Sequence, residues 1–161
     1  MKKHLQKLMN QYGGEIVPFK NLTTPYKLAM AWYMAIDGTA WELPFEYSYL
    51  DDNKLKKSFI KNIGMFDKEY GKVKFGVIDI PIDVCKWKVF EIMEDRNKFK
   101  NFEEYHKWYL GVSKERESHS IKNAWPCILS DFNDEFFQDG WHRFHRYVQL
   151  KMPSIPCICY V

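Results

Sequence analysis

The chain has 161 residues and a formal net charge of +3, values typical of one globular domain and too mild to indicate a polyanion-binding protein by themselves. No apolar run reaches the about 18–20 residues that a membrane span needs, and the basic N-terminus lacks the apolar core of a secretion signal. Four cysteines are too few for a disulfide-built domain. These observations predict a reduced, cytoplasmic protein with no membrane partner. Its 12 Phe, 10 Tyr and 6 Trp indicate a core or an interface made of large flat side chains.

The N-terminal part, residues 1–72, is predicted to be mainly helical. Residues 2–11 are typical of a short amphipathic helix that stops at a pair of glycines. A second helix is predicted over residues 24–38, because a proline suits its first turn and a glycine suits its end. A third is predicted over residues 51–63, with lysines on its outer sides. The apolar residues of the second helix that recur at three-and-four spacing are expected in the core: Leu28, Ala31, Trp32, Ala35 and Ile36.

The middle of the chain begins with residues 72–81, where β-branched side chains alternate with others and a proline follows, so a strand is predicted there. A helix over residues 83–95 comes next. Its expected core residues are Trp87, Phe90 and Ile92.

A further helix is predicted to begin after Asn101, which is suited to capping it because Glu104 stands three residues later. Gly111 marks its end. Residues 112–123 are polar and are predicted to form a loop.

The last forty residues alternate between short apolar runs and turn residues, which predicts strand, hairpin, helix and strand. This order favours an α+β fold: a single compact domain over residues 1–161, with a small mixed sheet and several packed helices. The predicted elements are a strand at 125–131, a turn at 132–135, a strand at 136–138, a tight turn at 139–140, a helix at 141–150 and a strand at 155–161.

The candidate functional residues surround the start of the helix at 141–150. Helical spacing predicts that Trp141, Phe144, Tyr147 and Val148 face inward and that His142, His145, Arg146 and Gln149 face outward, with Arg143 between the two sets. Gly140 removes a side chain where the first amides of a helix lack partners. A helix start with a glycine turn, a histidine and an arginine is suited to phosphate, since the amides donate hydrogen bonds and the guanidinium holds two oxygens.

The run Gly140-Trp141-His142-Arg143-Phe144, with Ile155-Pro156 before a terminal strand, resembles the ParB/sulfiredoxin-like superfamily. The run IDIPIDV at 78–84 is similar to that family's first strand and its exit, and the resemblance covers about residues 73–161. It implies that residues 140–143 bind the phosphates of a nucleotide such as ATP or CTP with Mg²⁺. The family uses such a site for ATP-driven sulfinic-acid repair, CTP-switched DNA clamps, kinase chemistry or nuclease chemistry.

Trp141 departs from the family at the position whose residue distinguishes one activity of the family from another. Sulfiredoxins carry their nucleophilic cysteine there, so the resemblance does not imply sulfinic-acid repair. ParB-type boxes place an acidic residue after the glycine, and with Trp141 at that position Asp139 is expected to take over the metal role. No helix-turn-helix segment follows, which argues against a chromosome-partition clamp.

Each of these candidate residues also has an interpretation that requires no ligand or catalysis. An Asp-Gly pair is a common hairpin turn, and a helix face rich in His and Arg needs no ligand. His106 and His119 are expected either to join His142 and His145 as proton carriers or to be ordinary helix and loop residues. Cysteines 127, 157 and 159 are expected to be buried apolar residues rather than zinc ligands. The lysines between residues 54 and 74 are interpreted as a solvated face, with single-stranded nucleic acid as the alternative.

These residues and patterns favour three functions. The first is a nucleotide- or phosphate-binding protein, with or without phosphoryl-transfer or phosphoester-hydrolysis activity, in which His142, His145, His106 and Asp139 are the candidate catalytic residues. The second is a non-catalytic regulator or inhibitor, encoded by a phage or plasmid, that acts on a protein partner through its aromatic surface. The third is a nucleic-acid-binding protein.

Overall fold

The computed structural model describes residues 1–39, 64, 66–112 and 125–161, with the backbone alone for residues 32 and 34–39. Helices pack on a mixed sheet whose strand pairs are mostly antiparallel, so the fold is α+β, as the sequence predicts. In chain order the elements are α1 Lys3–Tyr12, β1 Glu15–Pro18, a 3-10 turn Phe19–Asn21, α2 Thr24–Thr39, β2 Lys74–Pro81, α3 Ile82–Ile92, a 3-10 turn Arg96–Lys98, α4 Phe102–Val112, β3 Cys127–Leu129, β4 Phe137–Asp139, α5 Trp141–Gln149 and β5 Ser154–Tyr160.

The strands form one five-stranded mixed sheet in the order β1-β2-β5-β3-β4. Its centre is the long antiparallel pair of β2 and β5, in which Phe75 lies opposite Tyr160 and Pro81 opposite Ser154. β3 pairs with β5 in the parallel direction and with β4 in the antiparallel direction. Among the described strands, the two edges of the sheet are therefore β1 and β4, which come from opposite ends of the chain.

Both faces of the sheet are covered. One face carries Ile78, Ile80 and Ile155 and packs against α1, α3, α4 and α5. The other face carries Phe75 and Ile158 and packs against the 3-10 turn after β1 and against α2. Because successive residues of a strand point to opposite faces, β2 and β5 are buried on both sides. This explains why their sequences are apolar almost without interruption.

The local signals that the sequence carries are confirmed at several helix ends. The Asn101 side chain accepts a hydrogen bond from the amide of Glu104 at 3.0 Å, so this residue caps α4 as predicted. Gly13 adopts the left-handed conformation (φ 71°) that ends α1. The predicted helix at 51–63 lies outside the described residues, as does the polar segment from residue 113 to residue 124.

Two features of the fold differ from what the sequence predicts. The sequence does not indicate β1, because a four-residue edge strand is too short to show alternation. Trp87 is predicted to lie in the core but is 56% exposed, since Cys85 and Val89 form the buried side of α3. Across the ranges that the structure describes, no helix is long and apolar enough to cross a membrane.

The four cysteines are free and buried, which confirms the prediction that Cys127, Cys157 and Cys159 are apolar core residues. Three of them share the face of the sheet that packs against α3 and α5, and Cys85 meets them from α3. Burial raises the pKa of the Cys127 thiol to about 12 and that of Cys159 to about 11. These thiols are therefore protonated at neutral pH and are poor nucleophiles.

Candidate functional site

Gly140 forms the turn between β4 and α5. Its backbone is left-handed (φ 96°, ψ 18°), which favours glycine. A β-carbon there would lie 2.9 Å from Nη2 of Arg143 and 3.0 Å from Cα of Cys127, so the site also has no room for a side chain. Among the described residues, no side chain caps the helix start. The first amides of α5 therefore depend on water, other backbone or a ligand for their hydrogen bonds.

Arg143 lies beneath this turn and is only 8% exposed. Its Nη2 donates to Oδ2 of Asp139 at 3.3 Å, and its guanidinium carbon lies 5.8 Å from the centre of the Trp125 ring. The Nε atom has no hydrogen-bond partner among the described residues. A buried cation thus lies against the glycine turn, with the Asp139 carboxylate to balance its charge.

His145 is fully buried, and the prediction that it faces outward is wrong. Only 1% of the residue is exposed, because α4 packs over this side of α5 through His106 and Tyr109. Its ring stacks on that of Tyr109 at 3.7 Å between centroids. Its Nδ1 is 2.7 Å from Nδ1 of His106, which is a hydrogen bond between two imidazoles. A ligand arriving from solvent therefore meets His106 before His145.

A second hydrogen bond links the same two helices. The hydroxyl of Tyr109 is 3.1 Å from Nδ1 of His142. The pairs His106–His145 and Tyr109–His142 occur in opposite order on the two helices, so α4 and α5 run antiparallel. We call these four residues the histidine cluster.

The pair of His106 and His145 favours its neutral form. Burial, together with the neighbouring His106 and His142, lowers the pKa of His145 to about 2. Burial and the charge of Lys86 also lower the pKa of His106. A hydrogen bond between two neutral imidazoles needs one proton on one Nδ1 atom, and a second proton on the pair would place a charge in an apolar layer. The pair therefore accepts a further proton only at the half-buried ring of His106.

The structure brings together most of the residues that the sequence singles out. His106, His142 and His145 meet at the interface of α4 and α5, and Asp139, Gly140 and Arg143 meet at the start of α5. The half-buried Trp141 lies between these groups in the chain and packs edge-on against Phe137. His119 lies outside the described residues.

Two residues of the site are absent from the sequence-based prediction. Tyr109 stands on the same face of α4 as His106, three residues later, and this spacing is a signal that points to it. Trp125 carries no comparable signal. Its ring packs near the guanidinium of Arg143, and its carbonyl accepts a hydrogen bond from the hydroxyl of Tyr147 at 2.6 Å only because the tertiary fold places β3 beside α5.

A metal role for Asp139 does not fit the geometry. Its carboxylate is paired with Arg143 instead of with further oxygen ligands. Within residues 1–39, 66–112 and 125–161, no group of three or more His, Cys, Asp or Glu side chains is placed to hold a metal ion. A magnesium ion at this turn needs several oxygen ligands, and Asp139 would supply one carboxylate.

Comparison with protein-family models, with curated proteins and with solved structures finds no match for this chain. The resemblance of residues 140–143 to the ParB/sulfiredoxin-like superfamily therefore stays a prediction.

Proposed function

We propose that the protein binds a phosphate-containing ligand, a nucleotide or another phosphoester, at the start of α5. The observation that carries this proposal is the buried Arg143 beneath an uncapped helix start that begins with a left-handed glycine. The amides at a helix start and the helix dipole both favour an anion. The guanidinium adds positive charge on the inner side of the same turn, which the carboxylate of Asp139 partly offsets.

The phosphate site supports acid–base chemistry through its neighbours. His142 follows the turn directly, is half-buried and is oriented by Tyr109. His106 is half-buried and is oriented by the buried ring of His145. Imidazole suits proton transfer near neutral pH, and hydrolysis of a phosphoester needs a group that moves a proton to or from the reacting oxygens. In this proposal His142 and His106 carry protons, while His145 and Tyr109 are positioning residues.

The test is a titration of the protein with ATP, CTP and GTP, each with Mg²⁺. Binding is measured by calorimetry and by the shifts of amide NMR signals. We expect the wild type to bind at least one nucleotide at millimolar concentration or below. Arg143→Gln is expected to weaken binding about tenfold, the value of one charge-assisted hydrogen bond. Arg146→Gln removes a cation from the last turn of the same helix and is expected to leave affinity within about twofold.

Because Arg143 is buried, the experiment needs an arm that does not depend on its replacement. In the wild type, nucleotide is expected to shift the amide signals of residues 140–143 more than those of β1. Absence of binding at several millimolar nucleotide, or shifts confined to other parts of the chain, would show that the phosphate site does not exist.

A second function is favoured by one specific observation. Trp87 on α3 and Trp108 on α4 are each more than half exposed, and Lys86 on α3 contacts Glu103 on α4, so the two helices are neighbours. Exposed tryptophans are costly to leave in water and are typical of binding hot spots. A regulator that acts on a protein partner would use one or both of these exposed rings.

The regulator hypothesis predicts one stoichiometric partner protein in a pull-down, together with no turnover of nucleotide. Trp87→Ala and Trp108→Ala are each expected to abolish capture, whereas Leu150→Ala, an equally exposed apolar residue elsewhere, is expected to leave it unchanged. Equal capture of the partner protein by all three variants would contradict the regulator hypothesis.

A further inference from the structure

A cavity of about 530 Å³ lies at the edge of the sheet that β1 forms. Its size is within the range of about 300–1,000 Å³ that is usual for small-molecule sites. It opens at the β1 edge of the described sheet, whereas the phosphate site lies at the β4 edge. Its polar lining comes from α1, β1, the 3-10 turn after β1, the residues just before α2, α2 itself and β2: Tyr12, Glu15, Asn21, Thr23, Tyr26 and Asp79.

The cavity exists because β1 is shorter than β2. The four residues of β1 pair with residues 74–77, so the rest of β2 continues without a described strand on that side. Gly13 turns the chain from α1 into β1 at one side of this space, and the loop before α2 closes the other side. Val77, Ile78 and Asp79 of β2 line the cavity.

The lining is negatively charged. Glu15 and Asp79 contribute carboxylates, and none of the described lysines, arginines or histidines lines the cavity, although the whole chain carries a net charge of +3. Neither carboxylate forms an ion pair with a residue that the structure describes. The start of α2 adds about half a positive charge nearby, which two full negative charges outweigh.

Aromatic rings complete the lining. Tyr12 and Tyr26 contribute aromatic rings, whose faces attract cations, and Val17 and Leu22 add apolar surface. Burial raises the pKa of the Tyr26 phenol, and the carboxylate of Asp79 contributes to the same shift. The phenol is therefore protonated at neutral pH and is available as a hydrogen-bond donor. Carboxylates beside aromatic faces are the combination that recognises organic ammonium and guanidinium groups.

We propose that this cavity is a second ligand site, which binds a small organic cation, a primary amine or a guanidinium, between the carboxylates of Glu15 and Asp79 and the rings of Tyr12 and Tyr26. The site is independent of the phosphate site and does not rest on the function proposed above.

Three probes of equal chain length and different charge test this inference by calorimetry at low salt: 1,4-diaminobutane, 1,4-butanediol and succinate. We expect the diamine to bind, and the neutral diol and the dianion to bind at least about tenfold more weakly. Salt is expected to weaken binding of the diamine, because the attraction is between partly exposed charges.

Variants locate the binding. Asp79→Asn and Glu15→Gln are each expected to weaken the diamine about threefold, and the double variant about tenfold, because each removes one partly exposed charge partner. Glu103→Gln, which removes an exposed carboxylate from α4, is expected to change the affinity less than about twofold. Amide NMR signals of β1 and β2 are expected to shift with the diamine.

Three results would overturn the proposal: no binding of the diamine at about 10 mM, equal binding of the diol, or an unchanged affinity in the folded double variant. A failure of nucleotide binding at α5 would leave all three measurements unaffected, so the two proposals fail separately.

Discussion

The two edges of the sheet treat polar side chains in opposite ways. At the β4 edge, Arg143 and His145 are buried, Arg143 is paired with Asp139, and His145 is paired with His106. At the β1 edge, Glu15 and Asp79 face an open cavity and have no ion-pair partner in the described parts of the chain. The first edge pairs its buried charged and imidazole side chains with one another, although Nε of Arg143 and Nε2 of His145 have no described partner. The second edge leaves its carboxylates to solvent or to a ligand.

This difference predicts where substitutions affect stability and where they affect binding. A buried polar group is costly unless it is paired, so removing one member of a pair destabilises the fold. A solvated carboxylate contributes little to stability, and its replacement changes mainly the local charge. The following predictions test this contrast.

The largest effect is expected from His145→Ala. The substitution leaves a space among Phe102, Tyr105 and Tyr109 and removes the partner of His106. We expect a loss of about 3 kcal/mol in the free energy of unfolding, measured by urea denaturation. Gln149→Ala on the exposed side of the same helix is the control and should cost less than about 0.5 kcal/mol. Equal losses in both variants would show that the histidine cluster is not packed as described.

A comparable effect is expected from acid. His145 has a pKa of about 2 in the folded protein, against about 6.5 for an unfolded chain. Above pH 6.5 the ring is neutral in both states. Below pH 6.5 the unfolded state binds a proton that the folded state does not. The free energy of unfolding therefore decreases by up to about 1.4 kcal/mol for each unit by which the pH is lowered.

Urea denaturation at pH 7.0 and pH 4.5 checks this acid effect. The wild type should lose about 2–3 kcal/mol more than His145→Gln, because glutamine does not titrate. The same loss in both proteins would mean that the pKa of this ring is close to its ordinary value.

Gly140→Ala is expected to cost about 2 kcal/mol. The left-handed backbone is unfavourable for alanine, and the new β-carbon meets Arg143 and the backbone of Cys127. Gly111→Ala is a matched control, because a β-carbon on this helical glycine would have no described atom within 4 Å and alanine is the better helix former. Thermal denaturation should show the first variant destabilised and the second unchanged or slightly stabilised. The opposite order would mean that the turn before α5 is not as described.

The smallest effect is expected from Asp79→Asn. Its side chain faces the cavity, so the change in free energy of unfolding should stay within about 0.5 kcal/mol. A loss greater than about 1 kcal/mol in urea denaturation would show that this carboxylate is paired within the fold and would remove the contrast between the two edges.

The parts of the fold that the sequence predicts correctly are those with local signals. Asn101 caps α4, Gly140 starts α5, and the apolar runs of β2 and β5 form the centre of the sheet. These signals act within a few residues of the chain, so no knowledge of packing is needed to recognise them. The sequence also singles out His106, His142 and His145 together, although nothing in their spacing shows that they meet.

The predictions that fail depend on what covers each surface. Helical spacing places His145 opposite the sheet-facing side of α5, and that position is buried because α4 packs there. The same reasoning places Trp87 inside, and it lies outside because no described element covers that side of α3. Helical periodicity separates the apolar side of a helix from its polar side. It does not show whether another element packs against one side or against both.

Backbone preferences and alternation along the chain are enough to establish the fold class, the order of most elements and the glycine turn that begins α5. Packing between distant segments, in contrast, sets which imidazoles are buried, brings Arg143 under the turn with Asp139, and places Glu15, Tyr26 and Asp79 around one cavity. Those last three residues come from β1, α2 and β2, and they meet because a short edge strand leaves the longer β2 uncovered. Such contacts depend on how the layers stack, which local sequence does not encode.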